Sequence, residues 1–354
     1  MKAAIIGLPQ SGKSTVFLAA TGQKIDPFAA PQAHTAVVKV PDTRLDYLAA
    51  LCNPKKYTPA TIELVDFPGC SLEDAKGREE WRRMLPAVRL ADLLVVVVRD
   101  FEHASLPPYR NRIDAQADFD EIWSEMVFSD LEAVANRSDK LEKALKKPTA
   151  THEQEKHELS VLIRCREALE AERPLSSALQ TDHDRQVLAS FAFLTEKPIV
   201  TVRNVSDDKA GTAQPLAAAH AVDNIVLSAS IEAEVAQLDP DDRAVFLAEL
   251  GIAEPARDRL IRSCYRALGL ISFLTMGPEE VRAWTIRKGS TAQEAAGKIH
   301  SDLARGFIRA ETVAYDDLVA HTDMKGVKAA GKLRKEGKSY IVQDGDVMLI
   351  LANA

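Results

Sequence analysis

Gly7-Leu8-Pro9-Gln10-Ser11-Gly12-Lys13-Ser14 constrains this chain more than any other segment. Its spacing, G-x-x-x-x-G-K-S, is that of a phosphate-binding P-loop. Before it stands Met1-Lys2-Ala3-Ala4-Ile5-Ile6, a short apolar run suited to a buried strand. After it, Thr15-Val16-Phe17-Leu18-Ala19-Ala20 suits a first helix. Strand, glycine loop and helix in that order are the context the motif requires, and they argue against a mere glycine turn with an exposed lysine. Gly7 and Gly12 let the backbone turn tightly around a polyphosphate. The loop from Gly7, Leu8, Pro9, Gln10 and Ser11 to Gly12, with Thr15 in the first helical turn, then faces the negative charge with N–H groups and a helix N-terminus. Lys13 is expected to reach the β- and γ-phosphates, and the Ser14 hydroxyl to ligate Mg²⁺.

Three later segments fit the same site. Asp66-Phe67-Pro68-Gly69 follows a strand with D-x-x-G spacing. Such an Asp holds Mg²⁺, usually through water, and the Gly69 N–H senses the γ-phosphate. Asn204-Val205-Ser206-Asp207 follows another strand and matches N-x-x-D, a base-reading element. A carboxylate there accepts two N–H bonds from guanine, a donor pair that adenine lacks. A polar turn after a strand is the plainer reading of those residues. Ser228-Ala229-Ser230 follows the next strand, where small residues stand beside the base.

The surrounding pattern alternates strands with helices: Val37–Val40, a helix near Thr43–Leu51, Thr61–Asp66, and the continuous apolar run Leu93–Val98. A doubly wound α/β sheet with a central parallel strand follows. From about Asp114 to Arg173, apolar residues recur at helical spacing (Phe119, Ile122, Met126, Leu131, Val134; then Leu159, Leu162, Cys165, Leu169). That predicts two antiparallel helices, either a coiled-coil hairpin or a pair of ordinary surface helices. Strand character returns at Pro198–Val202 and Asn224–Leu227, and a helical stretch runs from about Asp239 to Leu268. Beyond Gly269 the reading is a small mixed sheet around one helix. Val281–Ile286 is extended, Ser290-Thr291 caps a helix through Arg305, and Ile308–Val313 is extended. Tyr340–Val342 and Val347–Ile350 form a terminal hairpin across an Asp-Gly turn. The expected domains are 1–113 with 183–268, a helical insertion at 114–182, and a carboxyl-terminal domain at 269–354.

Composition mainly excludes. The chain has 354 residues and a formal net charge of −7, so nucleic-acid binding needs a local basic patch. Its four cysteines form no C-x-x-C pair, which argues against a zinc site or disulfide framework and fits a reducing cytoplasm. No apolar run approaches the ~20 residues of a membrane span. No membrane partner is expected.

The carboxyl-terminal runs Val281-Arg282-Ala283-Trp284-Thr285-Ile286-Arg287-Lys288-Gly289, Gly306-Phe307-Ile308-Arg309-Ala310-Glu311 and Val342-Gln343-Asp344-Gly345-Asp346-Val347-Met348 closely resemble the YchF family, also called Obg-like ATPases. Weaker matches at Val40–Asp46, Pro54–Lys56 and Pro59–Thr61 extend the resemblance over essentially the whole chain. It implies a P-loop NTPase domain, a coiled-coil insertion and a ubiquitin-like (β-grasp) TGS domain. It also implies ATP or GTP with Mg²⁺, and association with ribosomes. Three departures stand out. Ala30 occupies the family's Mg²⁺-ligating switch threonine, with Thr35 nearby in the wrong register. Ala87 stands where the resemblance puts a water-handling histidine. Asp207 replaces the family's glutamate, which reopens GTP, while Val205 keeps the family's lack of a base-stacking lysine.

Arg282, Trp284 and Lys288 share one face if their strand is regular, a face suited to RNA. Burial of Trp284 is the competing reading. Arg305, Arg309, Lys332, Arg334, Lys335 and Lys338 extend the basic surface, with acidic residues interspersed nearly one for one. His34, His103, His152 and His157 are the histidines that tempt a catalytic role, but His34 reads as a loop residue, His152 and His157 as solvated residues of the helical insertion, and no catalytic residue is assigned. Two functions remain: a slow ATP- or GTP-hydrolysing switch that reads a ribosomal partner, or a nucleotide-responsive adaptor with little turnover that binds RNA or protein through its TGS domain.

Overall fold

The structure, a computed structural model, describes residues 1–23, 32–146, 151–249 and 254–353. Two compact units emerge: Met1–Ala36 with Glu63–Leu260, and Val37–Ile62 with Ile261–Ala354. The segment 37–62, read above within 1–113, thus groups with the carboxyl-terminal residues.

In chain order the elements begin with β1 (Lys2–Ile6), α1 (Lys13–Thr21), β2 (His34–Lys39), α2 (Thr43–Cys52), β3 (Lys56–Thr58) and β4 (Thr61–Asp66). Next come α3 (Ala75–Arg89), β5 (Leu93–Asp100), α4 (Ala115–Ala144), α5 (His152–Glu170), α6 (Asp182–Leu188), β6 (Ile199–Val205) and β7 (Asp223–Leu227). Then follow α7 (Ala229–Gln237), α8 (Pro240–Glu249) and α9 (Ala256–Ala267). The first sheet has the order β2-β4-β1-β5-β6-β7. Its pairs from β4 to β7 are parallel. Leu93 to Val98 of β5 are all buried, as a strand covered on both faces requires.

Register places the site. Ile5 lies opposite both Asp66 and Val95, and Asn204 lies opposite both Arg99 and Leu227. The carboxyl ends of β1, β4, β5, β6 and β7 therefore meet along one edge, where open α/β sheets hold ligands.

The helical insertion has two characters. Phe119, Ile122 and Met126 of α4 join the core formed with Val96, Val98 and Trp81. Farther along, α4 lies beside α5, and the Arg137 guanidinium donates to both carboxylate oxygens of Glu158 at 2.7 Å.

The second unit holds β8 (Leu270–Thr275), β9 (Glu280–Arg287), α10 (Ala292–Ile299), α11 (Ser301–Arg305), β10 (Phe307–Ala314), α12 (Tyr315–His321), α13 (Met324–Ala329), β11 (Arg334–Glu336) and β12 (Asp346–Ala352). Its sheet runs β11-β10-β12-β8-β9-β3. Ala292, Ala295 and Ala296 of α10 form a core with Phe273, Ile286, Ala310 and Met348, as in a β-grasp. Two expectations are corrected. The terminal hairpin is absent: β12 pairs antiparallel with β10 and parallel with β8. Asp344 instead accepts from the Ser272 N–H at 2.9 Å, tying the Asp-Gly turn to β8. Alternation marks a strand but not its partner. The helix from Thr291 also breaks at His300, whose extended backbone ends α10 and caps α11. Its start is as expected, a capping box between Thr291 and Glu294.

Candidate nucleotide site

The P-loop closes on itself. Gly12 has φ +87° at the N-cap of α1, and Gln10 also has positive φ. A Cβ on Gly12 would lie 2.2 Å from Asn204 Nδ2, and one on Gly7 would lie 2.3 Å from the Val97 carbonyl oxygen. The loop therefore excludes side chains at both positions by contact, and at Gly12 by backbone conformation as well.

Lys13 is buried, and its ammonium donates to the Leu8 carbonyl at 2.9 Å. Burial pushes its pKa down to about 8, with the charge of Asp66 opposing. Gly69 is tight against this group: a Cβ there would stand 2.7 Å from the Lys13 ammonium and 3.0 Å from Pro9 Cα. The Ser14 hydroxyl donates to Asp66 Oδ2 at 2.9 Å. The other Asp66 oxygen, Oδ1, is buried without a hydrogen-bond partner, as is Ser11 Oγ. Burial raises the Asp66 carboxyl above the ordinary range, against the Ser14 hydrogen bond and the Lys13 charge. A buried orphan carboxylate oxygen beside a serine hydroxyl fits Mg²⁺, which takes one or two protein oxygens and completes its shell with phosphates and water. Ser14 and Asp66 would hold it. Among the described residues no cluster of three His, Cys, Asp or Glu forms an all-protein metal site.

The far end of the site is a network of side chains. Asn204, buried at the end of β6, donates from Nδ2 to the Ser11 carbonyl at 3.1 Å and accepts the Ala229 N–H on Oδ1 at 3.0 Å. It staples the P-loop to the start of α7. Asp207 Oδ1 accepts the hydroxyls of both Ser228 and Ser230 at 2.5 Å. Val205 is buried beside them.

Between these ends lies a cleft of about 570 Å³, within the range of small-ligand sites. Gln10, Gly12, Lys13, Ser14, Thr15, Asn204, Val205, Asp207, Ala229 and Ser230 line it. Gly7, Leu8, Pro9, Ser11, Asp66, Gly69 and Ser228 are not among its lining residues.

One wall was not read from sequence, although His103 within it was noted. The loop after β5 brings Phe101, Glu102, His103 and Leu106 to the cleft. Arg99, buried at the end of β5, holds this loop through the carbonyls of Phe101 at 3.0 Å and Leu106 at 2.9 Å, and covers the Phe101 ring. A charged residue ending an apolar strand was the available signal.

Ala87 is corrected. It lies near the carboxyl end of α3, just before the turn where Asp92 N–H bonds the Lys2 carbonyl. That is the opposite end of β1 from Gly7, on the order of 16 Å away. A residue there handles no water at the phosphates. Ala30 lies outside the described residues, and Thr35 stands exposed on β2.

Two family models match the chain. One, described as "50S ribosome-binding GTPase", covers residues 2–137. The other, YchF-GTPase_C, described as "Protein of unknown function", covers residues 270–353. The "Ribosome-binding ATPase YchF" of Bacillus subtilis is 39% identical, covering 98% of each chain. That of Escherichia coli O157:H7 is 36% identical, covering 99% of each. The solved structure of the Schizosaccharomyces pombe YchF GTPase superposes with a TM-score of 0.83 at 27% identity, covering 99% of this chain and 97% of that one. With the P-loop fold and its cleft in place, these likenesses run from end to end: the chain belongs to the YchF family.

Proposed function

We propose that this chain binds a nucleoside triphosphate with Mg²⁺ in the cleft, hydrolyses it slowly, and does so in association with the ribosome. The carrying observation is the pairing of a buried lysine held on its own loop carbonyl with a buried carboxylate oxygen that lacks a partner. Both needs are met by a metal-bound phosphate. The ribosome enters through the relatives, which are named for binding it.

The relatives and the solved structure carry both ATPase and GTPase in their names. The base end supports ATP. A carboxylate oxygen has two lone pairs, and those of Asp207 Oδ1 are taken by two serines. Oδ2 remains, enough for the single amino group of adenine. Guanine would need both oxygens. His103 is the imidazole among the cleft-lining residues, and it is the group we assign to orienting the attacking water.

Phosphate release under single turnover, with and without ribosomes, tests this. Slow release that ribosomes accelerate is expected, and loss of His103 should reduce it by roughly 10²–10⁴-fold without weakening nucleotide binding. Binding with no release in either condition would replace the enzyme by the adaptor.

A further inference from the structure

The sequence reads His34 as a loop residue, whereas the structure makes it the first residue of β2, the edge strand of the first sheet. β2 lies beside β4, and just past the far end of the pair the Val40 N–H donates to the Ala60 carbonyl at 2.8 Å. The end of β2 thus meets the start of β4, so the two strands run antiparallel. In such a pair, residues joined by a ladder bond stand directly opposite each other. Counting back from Val40 along β2 and forward from Ala60 along β4 sets His34 opposite Asp66, with Cα atoms about 5.5 Å apart.

Burial agrees with this register. It pairs Ala36 with Leu64 and Val38 with Ile62, and all four are buried, while Thr35, Val37 and Lys39 between them are exposed. His34, half-buried, therefore shares the covered face with Asp66. There Asp66 accepts the Ser14 hydroxyl at 2.9 Å. The two groups lie near enough to interact: burial acts most on the Asp66 carboxyl, raising it, and the Ser14 hydrogen bond, Lys13 and then His34 oppose that. Among the described residues the His34 ring itself has no hydrogen bond or ion pair.

His34 is not among the residues lining the cleft, where an attacking water would stand. Its neighbour is the metal end of the site, where Asp66 Oδ1 is buried without a partner. Mg²⁺ keeps several of its waters, and each carries two hydrogens. A water between the metal and Asp66 Oδ1 gives that oxygen one hydrogen and has one left for a second acceptor. A neutral imidazole offers such an acceptor. We infer that His34 is a positioning residue for the metal, accepting the second hydrogen of the water that joins Mg²⁺ to Asp66. Outer partners of this kind orient the groups that touch the metal, and losing one costs roughly 10–100-fold in metal affinity. The inference rests on the Mg²⁺–nucleotide reading proposed above and adds one residue to that site.

The test compares the wild type with His34→Ala and His34→Gln in the full chain. ATP affinity is measured by calorimetric titration without metal and across a Mg²⁺ series. All three proteins should bind metal-free ATP alike. The Mg²⁺ concentration that gives half the gain in affinity should rise by roughly tenfold or more in His34→Ala. His34→Gln, whose carbonyl oxygen accepts the same hydrogen, should stay close to wild type. Pulsed EPR with Mn²⁺ and ATP should show a weak coupling to an imidazole nitrogen that is absent from His34→Ala. An unchanged Mg²⁺ midpoint in His34→Ala would overturn the inference and leave the metal site standing. So would an equal loss of metal-free ATP affinity, which marks a merely structural role, or the strong coupling of a directly bound ring. A wild type with no gain on adding Mg²⁺ would instead remove the metal reading itself, and this inference with it.

Discussion

The phosphate end of the cleft is a glycine-shaped backbone loop carrying the side chains of Lys13, Ser14 and Asp66, and the base end is made of side chains alone. At the phosphate end, Gly7 and Gly12 are required because a Cβ would strike the Val97 carbonyl or the Asn204 amide. Few sequences satisfy that geometry. At the base end, Asp207, Ser228 and Ser230 hold one another through hydroxyl–carboxylate bonds, and many sets of small polar residues would do the same. A backbone-built end recognises what all nucleotides share. A side-chain-built end is where one nucleotide is told from another.

The largest effect should come from the phosphate end. Lys13→Ala removes a buried cation facing the polyphosphate, and should weaken ATP and GTP alike by about a hundredfold or more in calorimetric titration. A loss that depended on the base would break the contrast. Next is the residue that joins the two ends. Asn204→Ala leaves the Ser11 carbonyl and the Ala229 N–H without their partner. Denaturant unfolding should report about 2–3 kcal/mol lost, with affinity reduced for every nucleotide.

Legibility followed the same division. The P-loop, Asp66 and Gly69 were readable because phosphate and metal chemistry fix residue type and spacing together. Asn204 and Asp207 were readable as a pair, but the stapling role of Asn204 was not, since it depends on β6 lying beside β5 and β7. The Phe101–Leu106 wall was missed because a loop's destination is set by tertiary contacts, here the buried Arg99. In the second unit β9, β10 and β12 were legible, whereas β3, β8 and β11 were not read as strands, and the pairing of β12 with β8 and β10 joins segments far apart in sequence and leaves no local signal.

A smaller effect sharpens the base end. Ser230→Ala frees one lone pair on Asp207 Oδ1. The ratio of ATP to GTP affinity should then shift toward GTP by roughly tenfold, the worth of one hydrogen bond to a charged group. An unchanged ratio would mean that Ser230 only props the loop.

The last effect, graded with conditions rather than fixed, is on pH. The buried Lys13 of the nucleotide-free protein titrates near pH 8, and a bound polyphosphate favours its charged form. Below about pH 8 affinity should be flat. Above it, binding must take up a proton, so affinity falls by at most about tenfold per pH unit. The same shift acts on stability with opposite sign. The folded value lies below the ordinary 10.5, so Lys13 makes the nucleotide-free fold more stable as pH rises from about 8 toward 10.5.

The central claim is that Ser14 and Asp66 hold the magnesium of a bound triphosphate. The gain in ATP affinity on adding Mg²⁺, measured by titration for the wild type and for Asp66→Asn, tests it most directly. A clear gain in the wild type and little or none in the variant is expected. An equal gain in both would contradict it.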